Sequence, residues 1–377
     1  MAVLTEEQTM LRDAAKDWVQ TQAPTTALRK RRDAGELGFD APAWRQMGEM
    51  GWAGVIAPEA HGGSGFGYLG IGLVLEETGR TLAASPLLST ALIGASALEL
   101  GGSADQQAQW LPKIAAGEAV FALAVDEGAH HDPLKTDLKA EKNGDGYTLT
   151  GKKTFVLDGM EADVLIVAAR TSGAPGEAEG ITLFLVPTGS AGLTRTQLHL
   201  IDSRGAASLS LDGVTLPASA VLGPVDGGFA VLESVLDRAR AGLAAEMLGT
   251  ALAAFETTLD YLKTRNQFGQ LIGGFQSLQH RAAKMFTDLE LTRSVVEAAL
   301  SDLDRGANDV RAACSLAKAM AGETLHKVSN DMVQMHGGIG MTDAHDAGLY
   351  MKRARVAEAA YGSASYHRDR YATLMGF

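Results

Sequence analysis

At 377 residues the chain is long enough for two or three packed units sharing a large core. Its 33 basic and 45 acidic residues leave a formal net charge of -12, which argues against nucleic acid or an anionic membrane surface as the main partner. One cysteine, Cys314, excludes an intramolecular disulfide and any multi-cysteine metal site, so no metal is expected.

The start, Met-Ala-Val-Leu-Thr-Glu-Glu-Gln, lacks a basic region followed by an apolar core, so no signal peptide is expected. No uninterrupted apolar run reaches the roughly 18 residues of a membrane span. The expected setting is the reducing cytoplasm, with Cys314 a small buried residue in a helical pattern.

Residues 1 to about 118 read as helices. Thr5-Glu-Glu-Gln8 has the form of a capping box, and Leu11, Ala14 and Trp18 then share one face. The glycine-rich Gly62-Gly-Ser-Gly-Phe-Gly67 lacks the Lys-Ser/Thr of a phosphate loop and reads as a plain turn. Glu76-Glu-Thr-Gly-Arg80 reads as a helix ending at its glycine.

From about 119 to 224 the texture changes to short β-rich runs bounded by Gly, Asp or Pro. These are Phe121 to Val125, Lys139 to Glu141, Tyr147 to Thr150, Lys153 to Leu157, Asp163 to Ala168, Ile181 to Val186 and Ser208 to Leu211. Strands at this spacing predict a small β-barrel or sandwich, with a polar loop at 173–180.

From about 225 the chain returns to long helices. Leu232, Leu236, Leu243, Met247, Ala251, Phe255, Leu259 and Leu262 recur at helical spacing, as do Leu278, Ala282, Met285, Leu289, Val296, Ala299 and Leu303. Two antiparallel helices follow, joined by a bend that holds Arg265, Phe268, Gly269 and Ile272-Gly-Gly274. A guanidinium at a helix end suits a bidentate grip on phosphate, and a neighbouring aromatic can flank a planar base. Taken alone, the pair reads more simply as a charged cap and a core phenylalanine.

Several stretches, taken in order, resemble the acyl-CoA dehydrogenase superfamily along nearly the whole chain. They include Pro58-Glu-Ala-His-Gly-Gly63, Leu111-Pro-Lys-Ile-Ala-Ala-Gly-Glu118, Leu211-Asp-Gly-Val-Thr-Leu-Pro217, Arg265-Asn-Gln-Phe-Gly269 with Phe275-Gln276, and Gln334-Met-His-Gly-Gly-Ile-Gly340. The resemblance implies an α+β fold: an N-terminal helical domain over 1–118, a middle β-barrel or sandwich domain over 119–224, and a C-terminal four-helix-bundle domain over 225–377.

It also implies bound FAD shared across a subunit interface. Arg265 would hold the pyrophosphate, with Phe268, Ile272, Phe275 and Gln276 on the adenosine side, while Gln334, Gly337 and Gly338 would let backbone approach the diphosphate. Gly337-Gly338 is also simply a helix C-cap in form. Val125, Phe155, Leu157 and Ser363 would lie on the flavin side, and Asp237 and Arg240 toward the acyl-CoA, although either charge reads equally as a solvated helix residue. The implied reaction is α,β-dehydrogenation of an acyl-CoA thioester: a carboxylate takes the α proton, the β hydride passes to the flavin, and electrons leave to electron-transfer flavoprotein.

This sequence departs from the family where the base is concerned. The usual glutamate of a Glu-Gly-Thr/Ser tripeptide is replaced by Tyr361, in Tyr361-Gly362-Ser363, and a phenol of pKa about 10 is a poor base at neutral pH. The alternative position used by some relatives is Ala239. Glu246, two turns on and within the apolar run Ala-Gly-Leu-Ala-Ala-Glu-Met-Leu-Gly, is the acid singled out as a base or else as a paired interface glutamate, with Glu358 behind it.

The flavin-ring side departs too: Val125-Asp-Glu-Gly-Ala-His-His-Asp132 stands in place of Thr-Glu-Pro-Gly-Ala-Gly-Ser-Asp, and Phe155-Val-Leu157 in place of Trp-Ile-Thr. In these features the chain resembles the small subunits of pimeloyl-CoA-type and heteromeric steroid-side-chain dehydrogenases. A homodimer, a homotetramer or a heterotetramer with a large subunit is therefore expected. Three roles remain open: an active dehydrogenase, a silent subunit completing a partner's FAD site, and a flavin oxidase or monooxygenase on the same fold.

Overall fold

The computed structural model describes residues 4–377; the first three residues of the start, where no leader was expected, lie outside the described residues. Among the described residues six α-helices precede the first strand: α1 (Glu6–Gln22), α2 (Thr25–Asp33), α3 (Ala41–Glu49), α4 (Gly67–Arg80), α5 (Ala95–Gly101), entered from a π-helical stretch Leu87–Gly94, and α6 (Ala104–Ala115). Eight strands follow: β1 (Phe121–Ala124), β2 (Lys139–Asn143), β3 (Gly146–Leu157), β4 (Val164–Arg170), β5 (Ile181–Pro187), β6 (Leu193–His199), β7 (Gly205–Pro217) and β8 (Val221–Leu222). The rest is α7 (Phe229–Thr264), the hairpin β9 (Asn266–Gln267) and β10 (Gln270–Leu271), α8 (Gln276–Arg305), α9 (Val310–His336), α10 (Ala347–Ala359) and α11 (Ala364–Leu374). The capping box forms: Thr5 Oγ1 accepts from the Gln8 amide at 3.2 Å, and Gln8 Oε1 from the Thr5 amide at 3.0 Å.

The chain folds as two compact units. The helical unit comprises Met1–Ala34, Gly72–Ala83 and Arg240–Phe377; the sheet unit comprises Gly35–Ile71 and Ala84–Ala239. In the sheet unit the strands run in the order β6-β7-β3-β2-β4-β5-β8, with β1 parallel to β4. β4 and β5 are buried on both faces, which explains their uninterrupted Val/Leu/Ile runs. At the end of β4 the buried Arg170 spreads its guanidinium over the carbonyls of Thr136, Glu179, Glu177 and Leu134 and so knits the surrounding loops.

Several sequence expectations are corrected. The runs Tyr147 to Thr150 and Lys153 to Leu157 are one strand, β3, because register shifts between Leu149 and Gly151 and between Lys153 and Val156 absorb the irregularity. β6 and β8 escaped notice; β6, Leu-Thr-Arg-Thr-Gln-Leu-His, is too polar for an apolar-run reading. Gly79 does not stop α4, which continues to Arg80. A Cβ at Gly79 would lie 2.1 Å from the Glu246 carbonyl oxygen, and one at Gly249 would lie 1.8 Å from that of Glu76, so the glycines let α4 and α7 touch backbone to backbone. The bend after α7 is a β-hairpin rather than a bare hinge, because Phe268 (φ +54°) and Gly269 (φ +80°) make a left-handed two-residue turn.

Candidate functional site

In the helical unit, the ends of α7 and α9 meet. Tyr261, one turn before Arg265, stacks on His336, the last residue of α9, with ring centroids 4.4 Å apart and planes at 27°. Its hydroxyl donates to the His336 carbonyl at 3.3 Å. The contact sets the root of the Arg265 hairpin beside Gly337 and Gly338.

The hairpin closes where the Ile272 amide donates to the Arg265 carbonyl at 2.9 Å. Ile272 is buried against the helix end, while Phe268, at the tip, is 91% exposed and meets Phe275 edge-on at 6.1 Å. Gln276 opens α8, and Arg265, Gln276 and Gln334 are all exposed. No described residue pairs with the Arg265 guanidinium.

Gly337 sits at φ +62°, ψ -140°, a conformation essentially restricted to glycine, and its amide donates to the Gln334 carbonyl. A Cβ at Gly337 or Gly338 would meet nothing within 4 Å, so this backbone is bare. A free guanidinium, bare glycine backbone, two carboxamides and an exposed ring, Phe268, against half-buried Phe275 fit the diphosphate and base of a dinucleotide.

Of the residues expected on the flavin side, Val125, Phe155 and Leu157 lie in the sheet unit and Ser363 in the helical unit. Val125, the residue after β1, is buried, its carbonyl accepting from Lys153 Nζ at 2.8 Å. The same ammonium reaches Glu127 Oε1 at 2.6 Å, and the Glu127 carboxylate also accepts from the Asp137 and Leu138 amides at 3.0 Å each. Burial lowers the Lys153 pKa, with Glu127 opposing. Asp126 accepts from His131 Nδ1 at 2.9 Å, and its carbonyl accepts from the Thr154 amide at 2.8 Å, tethering segment 125–132 to β3. Next along β3 come half-buried Phe155, at φ +53°, and half-buried Leu157.

The candidate acid-base residues are placed differently. Tyr361 adopts φ +55° in the turn between α10 and α11, where its carbonyl accepts from His367 Nε2 at 3.0 Å and lies 3.5 Å from Arg240 Nε. Lys318 Nζ donates to the carbonyls of Gly362, Ala357 and Glu358 at 3.0, 3.1 and 3.3 Å, and Ser363 Oγ accepts from the Tyr366 amide. Burial, with Arg240 and Lys318 nearby, pushes the His367 imidazole down to about 2.

Arg240, fully buried, thus points its guanidinium at this turn and at the Tyr366 hydroxyl, 3.3 Å away. Glu246 is 3% exposed and ion-paired with Arg353 at 2.9 Å. Glu358 is held by His326 at 3.0 Å and Arg355 at 2.8 Å, and Asp237 is buried in the sheet unit's stretch of α7. Sequence reasoning missed Arg353, Lys318, His345 and the Asp126–His131 pair. A lysine amid small residues, in Ser-Leu-Ala-Lys-Ala-Met-Ala-Gly, was the available signal for Lys318.

Among the described residues no helix is long and apolar enough to cross a membrane, and no group of three or more His, Cys, Asp or Glu side chains could hold a metal.

Family models of the acyl-CoA dehydrogenase N-terminal, middle and C-terminal domains match residues 5–118, 125–214 and 226–375. Mitochondrial isovaleryl-CoA dehydrogenase of Pongo abelii is 34% identical over 372 residues, covering 97% of this chain and 88% of that protein. Among solved structures, butyryl-CoA dehydrogenase from Megasphaera elsdenii superposes with a TM-score of 0.92 at 26% identity, covering 100% of this chain and 99% of that one. A chain of the ChsE4-ChsE5 complex from Mycobacterium tuberculosis gives 0.90 at 28% identity, with 100% of both chains covered. On the three domain matches and the full-length likeness, this chain belongs to the acyl-CoA dehydrogenase family.

Proposed function

We propose that this chain works in α,β-dehydrogenation of an acyl-CoA thioester, holding the nucleotide half of FAD with its α7–α9 clasp and passing electrons on to electron-transfer flavoprotein. Acyl-CoA dehydrogenases are FAD-binding oxidoreductases acting on CH–CH groups. The observation that carries the reading is the meeting of the Arg265 hairpin with the bare Gly337–Gly338 backbone. FAD, when bound, supplies the hydride acceptor.

The chain's own share is positional. Arg265 and the glycine backbone hold the diphosphate; Phe268, Phe275, Ile272 and Gln276 line the adenosine side, and Gln334 stands with the glycine backbone at the diphosphate. Val125, Phe155 and Leu157 give the ring an apolar wall, and in the helical unit Ser363 caps α11. Arg240 acts on the acyl end through the Tyr361 turn, with Asp237 beside it in sequence. Arg265→Met is expected to weaken FAD binding about tenfold or more, the loss of a charge-assisted pair. Titration of the flavin-stripped chain with FAD checks this, and a chain that refuses FAD both alone and with a co-expressed partner overturns the reading.

A second reading, in which a partner chain supplies the base, is favoured by one observation: Glu246 and Glu358 are both committed to ion pairs, and residue 361 is a phenol. The assembly is then heteromeric, and this chain completes a shared flavin site. Anaerobic mixing with isovaleryl-CoA or butyryl-CoA decides between them. Flavin bleaching only after co-expression with a larger acyl-CoA dehydrogenase chain supports the partner's base; bleaching by the isolated chain, abolished in Glu246→Gln, sinks it.

A further inference from the structure

At the root of the clasp, Tyr261, His336 and His345 form a column of rings, the two imidazoles 4.2 Å apart at 45°. Their backbone partners fix the tautomers. A carbonyl only accepts, so His336 donates through Nδ1 to Met332 at 2.7 Å; its Nε2 is then a bare lone pair, buried and without a partner. The Ala347 amide donates to His345 Nδ1 at 3.1 Å, so the proton of that ring sits on Nε2.

Each ring is thereby held neutral. Charging His336 would create a buried N–H at Nε2 with nothing to accept it. Charging His345 would set a second donor against the Ala347 amide and open the entry to α10. Charging both would place like charges in stacked rings.

We infer that His336 and His345 are positioning residues for the nucleotide clasp: as a neutral stack they hold segment 337–346 against the end of α7, and acid opens the clasp and releases the cofactor. The inference rests on the proposed FAD site.

The groups around the stack are few. From α7 comes Tyr261, and from α9 the Met332 carbonyl. From α2, Arg29 bonds Asp346 at 2.7 Å and the Asp343 carbonyl at 2.6 Å, and Arg32 grips the Asp343 carboxylate with two bonds of 2.6 and 2.7 Å. Burial lowers the His345 pKa, with Asp346 opposing and Arg29 adding; burial also lowers that of His336, with the Met332 bond opposing and His345 adding. Both values lie below the unfolded value of about 6.5, so the opened state takes up protons first. The stack's contribution is therefore whole above about pH 6.5 and lost as the pH falls below it.

The test compares the wild type with His336→Phe/His345→Asn, which keeps an aromatic ring in the column and an acceptor for Ala347 but removes both titrations. FAD affinity is measured by flavin fluorescence at pH 7.5 and 5.5, and the urea midpoint of the cofactor-free chain at the same two values. The wild-type dissociation constant is expected to rise about tenfold or more on acidification, while the double variant changes less than about threefold. The wild-type urea midpoint should also fall more steeply than the variant's. A flat wild-type affinity, or equal losses in both proteins, overturns the inference. FAD refused at every pH would defeat the cofactor reading, and the urea comparison still decides the stack. If the double variant does not fold, His345→Asn alone carries the same expectation at smaller amplitude.

Discussion

Arg353 is what makes Glu246 tolerable inside the helical unit. Their pair is buried, so removing one member strands a charge away from water, whereas removing both leaves an ordinary apolar contact. Arg353→Met should destabilise by about 3–5 kcal/mol, and adding Glu246→Leu should recover most of the loss, read from urea midpoints. Gly337→Ala forces a side chain into backbone space kept for glycine; a strain of about 1–3 kcal/mol is expected, with weakened FAD binding in fluorescence titration. In the sheet unit, half-buried Glu99 has its carboxyl pushed up to about 7 by burial, with Arg238 opposing, and its Oε1 finds no hydrogen-bond partner. A folded pKa above the unfolded one means that stability falls as the pH rises through about 4.5 to 7. Glu99→Gln should therefore stabilise at pH 8 and change little at pH 4, a sign that paired thermal melts check. Arg265 and Gly337 stood out only through the family resemblance, since taken alone a charge at a helix end reads as a cap and a glycine pair as a helix C-cap. Arg353 and His345 did not stand out, since Glu246 lies more than a hundred positions from one and the stack around the other joins three separate elements.

Among elements, α4 and α7 are fitted at two glycines. Gly79 abuts the Glu246 carbonyl, Gly249 that of Glu76, and Thr250 Oγ1 donates to the Gly79 carbonyl at 3.0 Å. Gly79→Val would drive a branched side chain into helix backbone. A loss of about 1–3 kcal/mol is expected by urea unfolding, because overpacking at a helix crossing finds no flexible neighbour to move. The sequence could not announce this crossing, since a glycine beside a basic residue has the same local signature as a helix stop. The Tyr361 turn belongs to this scale as well. It joins α10 to α11 in a left-handed conformation, and Lys318 from α9 gathers three of its neighbouring carbonyls. Such geometry persists only where surrounding bonds over-determine it. The turn's tripeptide was recognisable in sequence; its buried ammonium anchor, 43 positions earlier than Tyr361, was not.

For the whole molecule, the order helix, β, helix was readable because the texture of the chain changes from helical apolar spacing to short Val, Ile and Thr runs and back. What was lost was strand continuity: bulges hid the unity of β3, and the polar alternation of β6 hid a sheet edge. The two titrations also oppose one another, the imidazole stack losing stability as the pH falls below about 6.5 and Glu99 losing it as the pH rises through about 4.5 to 7, so over their shared range each offsets part of the other. One detail of the sheet unit shows how an unpaired strand side is closed from within. β1 pairs with β4 alone, and the Thr90 hydroxyl, from the π-helical stretch, accepts from the Phe121 amide at 2.9 Å and lies 3.2 Å from the Phe121 carbonyl. Thr90 and Phe121 are both buried, so this hydroxyl stands where a further strand's backbone would otherwise satisfy the Phe121 amide, and without it that donor would face an apolar interior.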